Sequence, residues 1–153
     1  IIRRAVEEDI ADIRTLTIRA YTKWVEITPR PPRPMTADYN QAFADHRFDL
    51  LVDQGRLIGL VETVAEGDEL MIVNVAVEPE RQGQGHGFTL MRHAEEIERL
   101  SGLAGTRLYT NKLMTSNIAL YERLGYEFEK ETHHDLGTVA VHMKYSFSPR
   151  RDK

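Results

Sequence analysis

A glycine-rich hexapeptide contains the residues of this chain best suited to bind an anion. It reads Gln82-Gly83-Gln84-Gly85-His86-Gly87, with glycine at every second position. A residue without Cβ adopts positive φ readily and lets a ligand come close to the main chain, so that successive N–H groups can point inward. The pattern therefore predicts a cradle for a phosphate or a pyrophosphate.

The segments on either side of this hexapeptide favour the same interpretation. An apolar run from Leu70 to Val77 has the length and β-branched content of a buried strand, and Pro79 ends it. The apolar residues that follow the hexapeptide recur at helical spacing: Leu90, Met91, Ala94 and Ile97. A helix that starts at the loop adds about half a positive charge at its N-terminus. The alternative is that the glycines only form a tight turn into the helix.

Two common phosphate-binding motifs do not fit the spacing. A Walker loop ends in Gly-Lys-Ser/Thr, whereas this loop ends in His86-Gly87-Phe88. A dinucleotide fingerprint is G-x-G-x-x-G with an acidic residue about 20 positions later, whereas this loop is G-x-G-x-G and the next predicted strand ends on Asn111.

A second motif lies downstream, where residues 117–126 read NIALYERLGY. Asn117 and Tyr121 are four residues apart and therefore share one face of a predicted helix. Taken alone, Tyr121 is better explained as a core tyrosine on an amphipathic helix. Together, the two motifs resemble those of the GNAT-type N-acetyltransferase superfamily, which has a Q/R-x-x-G-x-G/A loop after its fourth strand and then an asparagine, a tyrosine four residues on, and Gly-Tyr/Phe.

The resemblance implies that acetyl-CoA is the co-substrate and that its acetyl group moves to a primary amine of a small molecule or peptide by direct attack on the thioester. It implies that the coenzyme contacts the end of the fourth strand, the loop and the later helix: Val75, Ala76, Val77, Gln82, Gly83, Gln84, Gly85, His86, Gly87, Phe88, Asn117 and Tyr121. Two alternatives stay open. One is a catalytically silent acyl-CoA-binding module that senses the coenzyme or regulates a partner, and the other is transfer of a larger acyl group.

Thioester aminolysis needs a neutral amine, a stabilised oxyanion and a proton for the leaving sulfur. The resemblance assigns the proton donor to Tyr121. Glu62 and Glu69 are the acidic residues predicted to reach the cleft, where one of them could act as the base. Some family members use a glutamate on the fourth strand, but the position that matches it best holds Met71 here. A water chain or no dedicated base is an equal alternative, and His134 is the histidine to test.

The acceptor pocket is predicted from three residues. Tyr21 and Trp24 end the apolar face of the first predicted helix, where aromatic side chains can line a pocket or complete the core. Asn74 is polar within an apolar strand beside the loop, so it holds acceptor or water, or is a satisfied structural asparagine.

A proline-rich loop follows the first helix, and residues 28–34 read TPRPPRP. Proline excludes this segment from a helix interior or a central strand. The loop is long enough to cover a site, in which case Arg30 and Arg33 favour an anionic acceptor. The sequence favours the other interpretation, a solvated loop with two exposed arginines.

Hydrophobic periodicity and turn residues predict the order β-α-α-β-β-β-α-β-α-β-β, which is that of the GNAT fold. This is an α/β (α+β) class with a single mixed, mostly antiparallel twisted sheet of six to seven strands and about four helices. The predicted strands are Ile1–Ala5, Phe48–Val52, Leu57–Val64, Glu69–Val77, Arg107–Thr110, Tyr126–His134 and Thr138–Phe147. Helices are predicted from Glu7 to Trp24, after an N-cap at Thr36, after the glycine loop, and from Asn117 to Leu124 with Gly125 as its C-cap. One domain is predicted at residues 1–147, with a polar tail at 148–153.

Composition limits the partners. The chain has 153 residues, a net charge of −4 and no cysteine, which argues against a general nucleic-acid binder and excludes an acyl-cysteine intermediate. No segment reads as a signal peptide or a membrane span, so a cytoplasmic location is expected. The histidines lack ligand spacing, so no metal is expected, and a homodimer is left open.

Overall fold

The structure is a computed structural model that describes residues 1–146. These residues contain seven strands: β1 (Ile2–Arg4), β2 (Arg47–Asp53), β3 (Arg56–Glu66), β4 (Glu69–Val77), β5 (Gly105–Asn111), β6 (Glu127–His133) and β7 (Val139–Ser146). Four α-helices accompany them: α1 (Ile10–Tyr21), α2 (Tyr39–Asp45), α3 (His86–Leu100) and α4 (Thr115–Arg123). The predicted element order is confirmed. No helix in this part of the chain combines the length and the apolar character needed to cross a bilayer.

All seven strands belong to one sheet with the order β1-β2-β3-β4-β5-β7-β6. Neighbouring strands run antiparallel except β4 and β5, which are parallel because α3 returns the chain to the same end of the sheet. The predicted mixed, mostly antiparallel sheet is therefore confirmed.

Helices cover the two faces of the sheet unequally. α3 and α4 pack on one face, where the core includes Leu90 and Met91 of α3 and Leu108 of β5. α1 and α2 pack on the other face, and the buried strand residues beneath them come from β2, β3 and β4: Phe48, Leu50, Leu60 and Ala76. Strands β5 and β7 contribute no buried apolar residue to that second cluster among the described residues.

β4 and β5 diverge partway along their length. They pair only from Leu70 opposite Thr106 to Ile72 opposite Leu108. Beyond Ile72, the main chain of β4 has a free edge facing the gap. We call this divergence the splay; it opens toward the glycine loop that follows β4.

Two helix boundaries differ from the predictions. The first predicted helix is continuous to Trp24, but α1 ends at Tyr21 and a 3₁₀ turn covers Thr22–Trp24. Thr36 was predicted to cap the second helix, and this is wrong, because Asp38 is the N-cap and its carboxylate accepts from the amides of Asn40 (3.1 Å) and Gln41 (3.2 Å).

The remaining boundaries are close to the predicted ones. Gly125 follows α4 at φ +99°, as a helix C-terminus requires. Phe147 and the predicted tail lie outside the described residues.

Candidate active site

A cavity of about 560 Å³ opens where β4 and β5 diverge. Its walls come from the end of α1 and the following turn, the end of β4, the glycine loop with the start of α3, and α4. Of the predicted site residues, those that line it are Tyr21, Trp24, Val75, Ala76, Val77, Gln82, Gly83, Gly85, His86, Gly87, Phe88, Asn117 and Tyr121. The fold thus brings both motifs to one site.

The glycine loop has the main-chain conformation that its sequence predicts. Gly83 and Gly85 adopt φ +79° and +87°, in the left-handed region that favours glycine. Thr89 is the first residue of this segment whose amide closes a helical hydrogen bond, to Gly85 O at 3.0 Å. Within the described chain, the amides from Gly83 to Phe88 donate to no main-chain oxygen. Six consecutive N–H groups at a helix N-terminus are therefore available to an anion.

Gly87 serves a different purpose from the two glycines before it. It lies within α3, and a Cβ built on it would come 3.3 Å from Leu120 Cδ2 of α4. Its small size therefore allows α3 and α4 to approach each other. Gln84 does not line the cavity, and its exposed side chain accepts from Arg81 Nε at 3.4 Å, so the structure does not bring that predicted side chain into the site.

Side chains cap the free edge of β4. Val77 O accepts from Gln82 Nε2 at 3.0 Å, and Val75 O accepts from the Tyr21 hydroxyl at 3.3 Å. Main-chain groups two residues apart in a strand point the same way, so Val75 and Val77 both present their main chain to the gap. Gln82 Oε1 also accepts from Lys23 Nζ at 2.8 Å, which joins the loop to the end of α1.

Four basic side chains line the cavity, on four different elements: Lys23, Arg81, His86 and Arg123. Arg81 is paired with Asp53 at 2.7 Å, and Lys23 lies over the Trp24 ring at 5.1 Å. Sequence analysis did not find Lys23, Arg81 or Arg123, because no motif marks them. Lys23 and Arg81 each adjoin a predicted site residue in sequence, and Arg123 lies two residues after Tyr121. They give the wall of the cavity the charge that a phosphorylated ligand needs.

Tyr121 and Asn117 both face the cavity from α4, as their spacing predicted. Tyr121 is only 9% exposed. Its hydroxyl nevertheless makes no hydrogen bond to any residue of the described chain. Burial raises the pKa of Tyr121 to about 12, so the phenol stays protonated at physiological pH. Asn117 donates only a weak contact to Met114 Sδ at 3.8 Å. Both side chains therefore keep polar groups free for a ligand.

A buried polar group lies behind the cavity on the α1 side. The Tyr21 hydroxyl donates to Asn74 Oδ1 at 2.7 Å, and Asn74 Nδ2 donates to Thr17 Oγ1 at 3.5 Å. Asn74 is therefore a buried, hydrogen-bonded side chain behind Tyr21. Its predicted role in acceptor binding requires it to line the cavity, and it does not. Burial raises the pKa of Tyr21 well above its usual value.

Neither predicted base lines the cavity. Glu62 is opposite Asn74 in the β3–β4 ladder, is 4% exposed, and contacts His46 Nδ1 at 2.6 Å. Burial raises the pKa of Glu62, and the contact with His46 partly offsets that rise. Glu69 is at the opposite end of β4 from the loop and is paired with Arg107 at 3.0 Å. The structure therefore separates Glu69 from the site, and leaves Glu62 one layer behind Tyr21.

Two of the remaining histidines contact one hydroxyl on the β6–β7 side. Thr132 Oγ1 is 3.1 Å from His134 Nε2 and 2.9 Å from His142 Nε2. Neither histidine lines the cavity. Across residues 1–146, no group of three or more His, Asp or Glu side chains is placed to hold a metal ion.

Comparison with solved structures identifies the fold. The ribosomal-protein-S18-alanine N-acetyltransferase from Escherichia coli superposes with a TM-score of 0.78 and 23% identity, covering 97% of this chain and 94% of that one. The PaiA N-acetyltransferase from Thermoplasma acidophilum, in complex with coenzyme A, superposes with a TM-score of 0.74 and 17% identity, covering 95% and 98%.

Sequence comparison gives the family. The [ribosomal protein bS18]-alanine N-acetyltransferase of Escherichia coli (strain K12) is 35% identical over 77 residues, which are 50% of this chain and 51% of that protein. The chain thus matches about half the length of this relative. The model of the acetyltransferase (GNAT) family matches residues 10–126, which is more than half of the chain and includes both motifs. This chain therefore belongs to the acetyltransferase (GNAT) family.

Proposed function

We propose that this protein transfers the acetyl group of acetyl-CoA to a primary amine of a small molecule or peptide by direct attack of the amine on the thioester. One observation supports this above the others. Unbonded loop amides, a strand edge that no strand of residues 1–146 pairs with, and a protonated tyrosine hydroxyl without a protein partner there all face one cavity. A thioester of coenzyme A needs those three features at its diphosphate, its pantetheine arm and its sulfur, in that order.

We assign the diphosphate to the amides of Gly83 to Phe88. They lie at the N-terminus of α3, where the helix dipole favours an anion. Lys23 and Arg123 approach from other walls of the cavity and add charge. Gln82 supports the loop through its bonds to Val77 and Lys23, so its side chain shapes the site as well as lining it.

The pantetheine arm then lies in the gap between β4 and β5. There it meets the main chain of Val75 and Val77, and its amides add to the free edge as an extra strand would. An N–H group of the same edge is the donor for the oxyanion that forms when the amine attacks. Asn117 supplies a side-chain amide from the opposite wall.

Tyr121 donates a hydrogen bond to the sulfur as its negative charge grows and supplies the proton that the thiol needs on departure. A phenol whose pKa is about 12 remains a donor throughout the physiological range. Because its hydroxyl has no protein partner among the described residues, it requires no rearrangement to turn toward the ligand.

The acceptor must lose a proton, since an amine with a pKa near 10.4 is about one part in a thousand neutral at pH 7. We assign Glu62 as the group that accepts this proton, through a bridging water rather than by direct contact with the amine. Directly paired residues in neighbouring strands have their Cα atoms about 5 Å apart, so Glu62 adjoins Asn74 and, through it, Tyr21 at the cavity wall. Glu69 has no role in this scheme, because it lies at the far end of β4.

The relative from Escherichia coli acts, by its name, on an alanine of ribosomal protein bS18, which is consistent with an amine acceptor. To test the function, the protein is incubated with acetyl-CoA and a panel of primary amines, and free thiol release is measured together with the mass of the products. Release that requires an amine and yields an N-acetylated product supports the proposal. Coenzyme binding without turnover on any amine would favour a sensor instead.

A further inference from the structure

Part of one sheet face has no helix of residues 1–146 packed over it. On the side of α1 and α2, side chains of β5 and β7 remain accessible, and this open face consists of Arg107, Tyr109, His142 and Lys144. Tyr109 is 44% exposed, and its ring packs against His142 with centroids 5.4 Å apart. Tyr109 directly follows Leu108, the last residue of β5 that pairs with β4. The open face therefore begins at the splay, on the side of the sheet opposite α4.

Residues 25–38, here called the strap, border this open face. The strap is fixed at its start, where Thr28 N donates to Trp24 O at 3.0 Å, and at its end, where the Tyr39 hydroxyl donates to Pro34 O at 2.6 Å. Pro32 at its middle is buried. The strap is therefore a seated segment, and it begins next to residues that line the cavity.

Two arginines extend from the strap to the borders of the open face. Arg33 Nη1 donates to the Tyr109 hydroxyl at 3.5 Å, and Arg30 Nη2 donates to the main-chain oxygen of Asp135 at 3.2 Å. Arg33 thus reaches the residue at the splay, while Arg30 reaches the turn between β6 and β7. Both arginines therefore connect the strap to the β5 and β6–β7 side of the sheet, next to the point where β4 and β5 separate.

The charges of these two arginines are not neutralised by the protein. Each contacts one uncharged oxygen, and neither forms an ion pair with a carboxylate of residues 1–146. By contrast, Arg81 at the cavity and Arg107 on the paired part of β5 both form ion pairs with carboxylates. A guanidinium has five N–H donors in a fixed fork that matches a carboxylate, so each strap arginine keeps most of its donors free.

We propose that the acceptor is an amine that also carries a carboxylate, and that Arg30 and Arg33 bind this carboxylate while the amine enters the splay. The proposal rests on the acetyl transfer proposed above and adds the acceptor class. Two free guanidinium groups at one edge of an amine site lower the affinity for a plain cationic amine, and a carboxylate on the acceptor converts that repulsion into attraction. Selectivity thus requires an acceptor with both charges.

The test compares matched acceptors, each a primary amine bearing either a carboxylate or the corresponding carboxamide, such as 4-aminobutanoate and 4-aminobutanamide. We expect the wild-type protein to acetylate the carboxylate with kcat/KM at least about tenfold higher, which equals about 1.4 kcal/mol. In the double variant Arg30→Gln/Arg33→Gln, this ratio falls to about one, mainly through a higher KM for the carboxylate. Raising the salt concentration reduces the wild-type ratio in the same direction.

The matched control is Arg4→Gln, which removes the charge of another exposed arginine without an ion pair, on β1 at the opposite edge of the sheet. It should keep the wild-type ratio. Equal turnover of the two acceptors by the wild type, or an equal loss for both in the double variant, would overturn the acceptor class and leave acetyl transfer intact. No thiol release with any amine, despite bound acetyl-CoA, would instead remove the proposed function together with this inference.

Discussion

Tyr121→Phe is the substitution that separates chemistry from binding in this site. It removes one oxygen and keeps the ring, which packs 6.2 Å from the ring of Tyr126. The hydroxyl has no hydrogen-bond partner in residues 1–146, so its loss leaves no buried group unsatisfied. We therefore expect the free energy of unfolding to change by no more than about 0.5 kcal/mol, within the range of neutral substitutions.

The effect on catalysis follows from the interaction that is lost. A hydrogen bond to a charged group contributes about 1.5–3 kcal/mol, and each 1.36 kcal/mol of barrier is a factor of ten in rate. If the hydroxyl bonds the sulfur only as its negative charge develops, kcat falls about tenfold to about 150-fold. The Kd of acetyl-CoA stays nearly constant, because the diphosphate and pantetheine contacts do not involve this oxygen.

The assay is steady-state thiol release at saturating acetyl-CoA and acceptor, with the Kd of acetyl-CoA measured by calorimetry and Tm measured by scanning fluorimetry. A kcat within twofold of wild type would refute the assignment of Tyr121 as proton donor. A large rise in Kd with an unchanged kcat would make the hydroxyl a binding group instead. The wild-type pH profile gives a second check. With a pKa of about 12, Tyr121 should cause no loss of kcat at pH 10, where a tyrosine of ordinary pKa is half deprotonated.

Three further predictions test the surrounding structure. Tyr126→Phe should lower Tm while kcat of the folded protein stays within twofold of wild type, because this hydroxyl is buried, bonds Glu95 and Thr106, and lies outside the cavity. Gly85→Ala and Gly67→Ala both place Cβ at positive φ with open space around it. Both substitutions should therefore lower the free energy of unfolding by about 1–2 kcal/mol. Calorimetry should find weaker acetyl-CoA binding only in Gly85→Ala, and equal affinities would argue against the loop as the diphosphate site. In pH–rate profiles, turnover should fall as the pH drops through the raised pKa of Glu62. His46→Ala removes the contact that lowers this pKa, so it should move the fall in turnover to higher pH. A profile that does not move would exclude Glu62 as the base.

Much of the fold could be predicted from local pattern. The alternation of strands, the three sequential hairpin-connected strands and the glycine loop each depend on residues close in sequence, such as Gly67 in a turn or Gly85 at positive φ. The parallel pairing of β4 with β5 also follows, because a helix joins them. The ends of the helices were harder to predict from the sequence. Asp38 and Thr36 are both good caps by residue type, and only the packing of the intervening turn selects Asp38.

The position of the residues proposed to bind the coenzyme could likewise be predicted from the sequence. The loop amides and the pair Asn117 and Tyr121 are each specified within a few residues, since a turn conformation or a shared helix face decides where they point. The choice between the two candidate bases could not be predicted in this way. Glu69 is on the predicted strand, but the point at which β4 and β5 separate decides that it lies on the paired side, bound to Arg107.

The sequence by itself determined that this chain has a glycine loop at positive φ between a strand and a helix, followed by a tyrosine on a later helix, because those features depend on φ angles and on a 3.6-residue repeat. Only the tertiary structure decided which side chains share the cavity and which charges stay unpaired. Arg30 and Arg33 are 76 or more residues away from the β5 tyrosine and the β6–β7 turn that they contact. Contacts of that separation form only when the sheet brings distant segments together, and no local pattern encodes them.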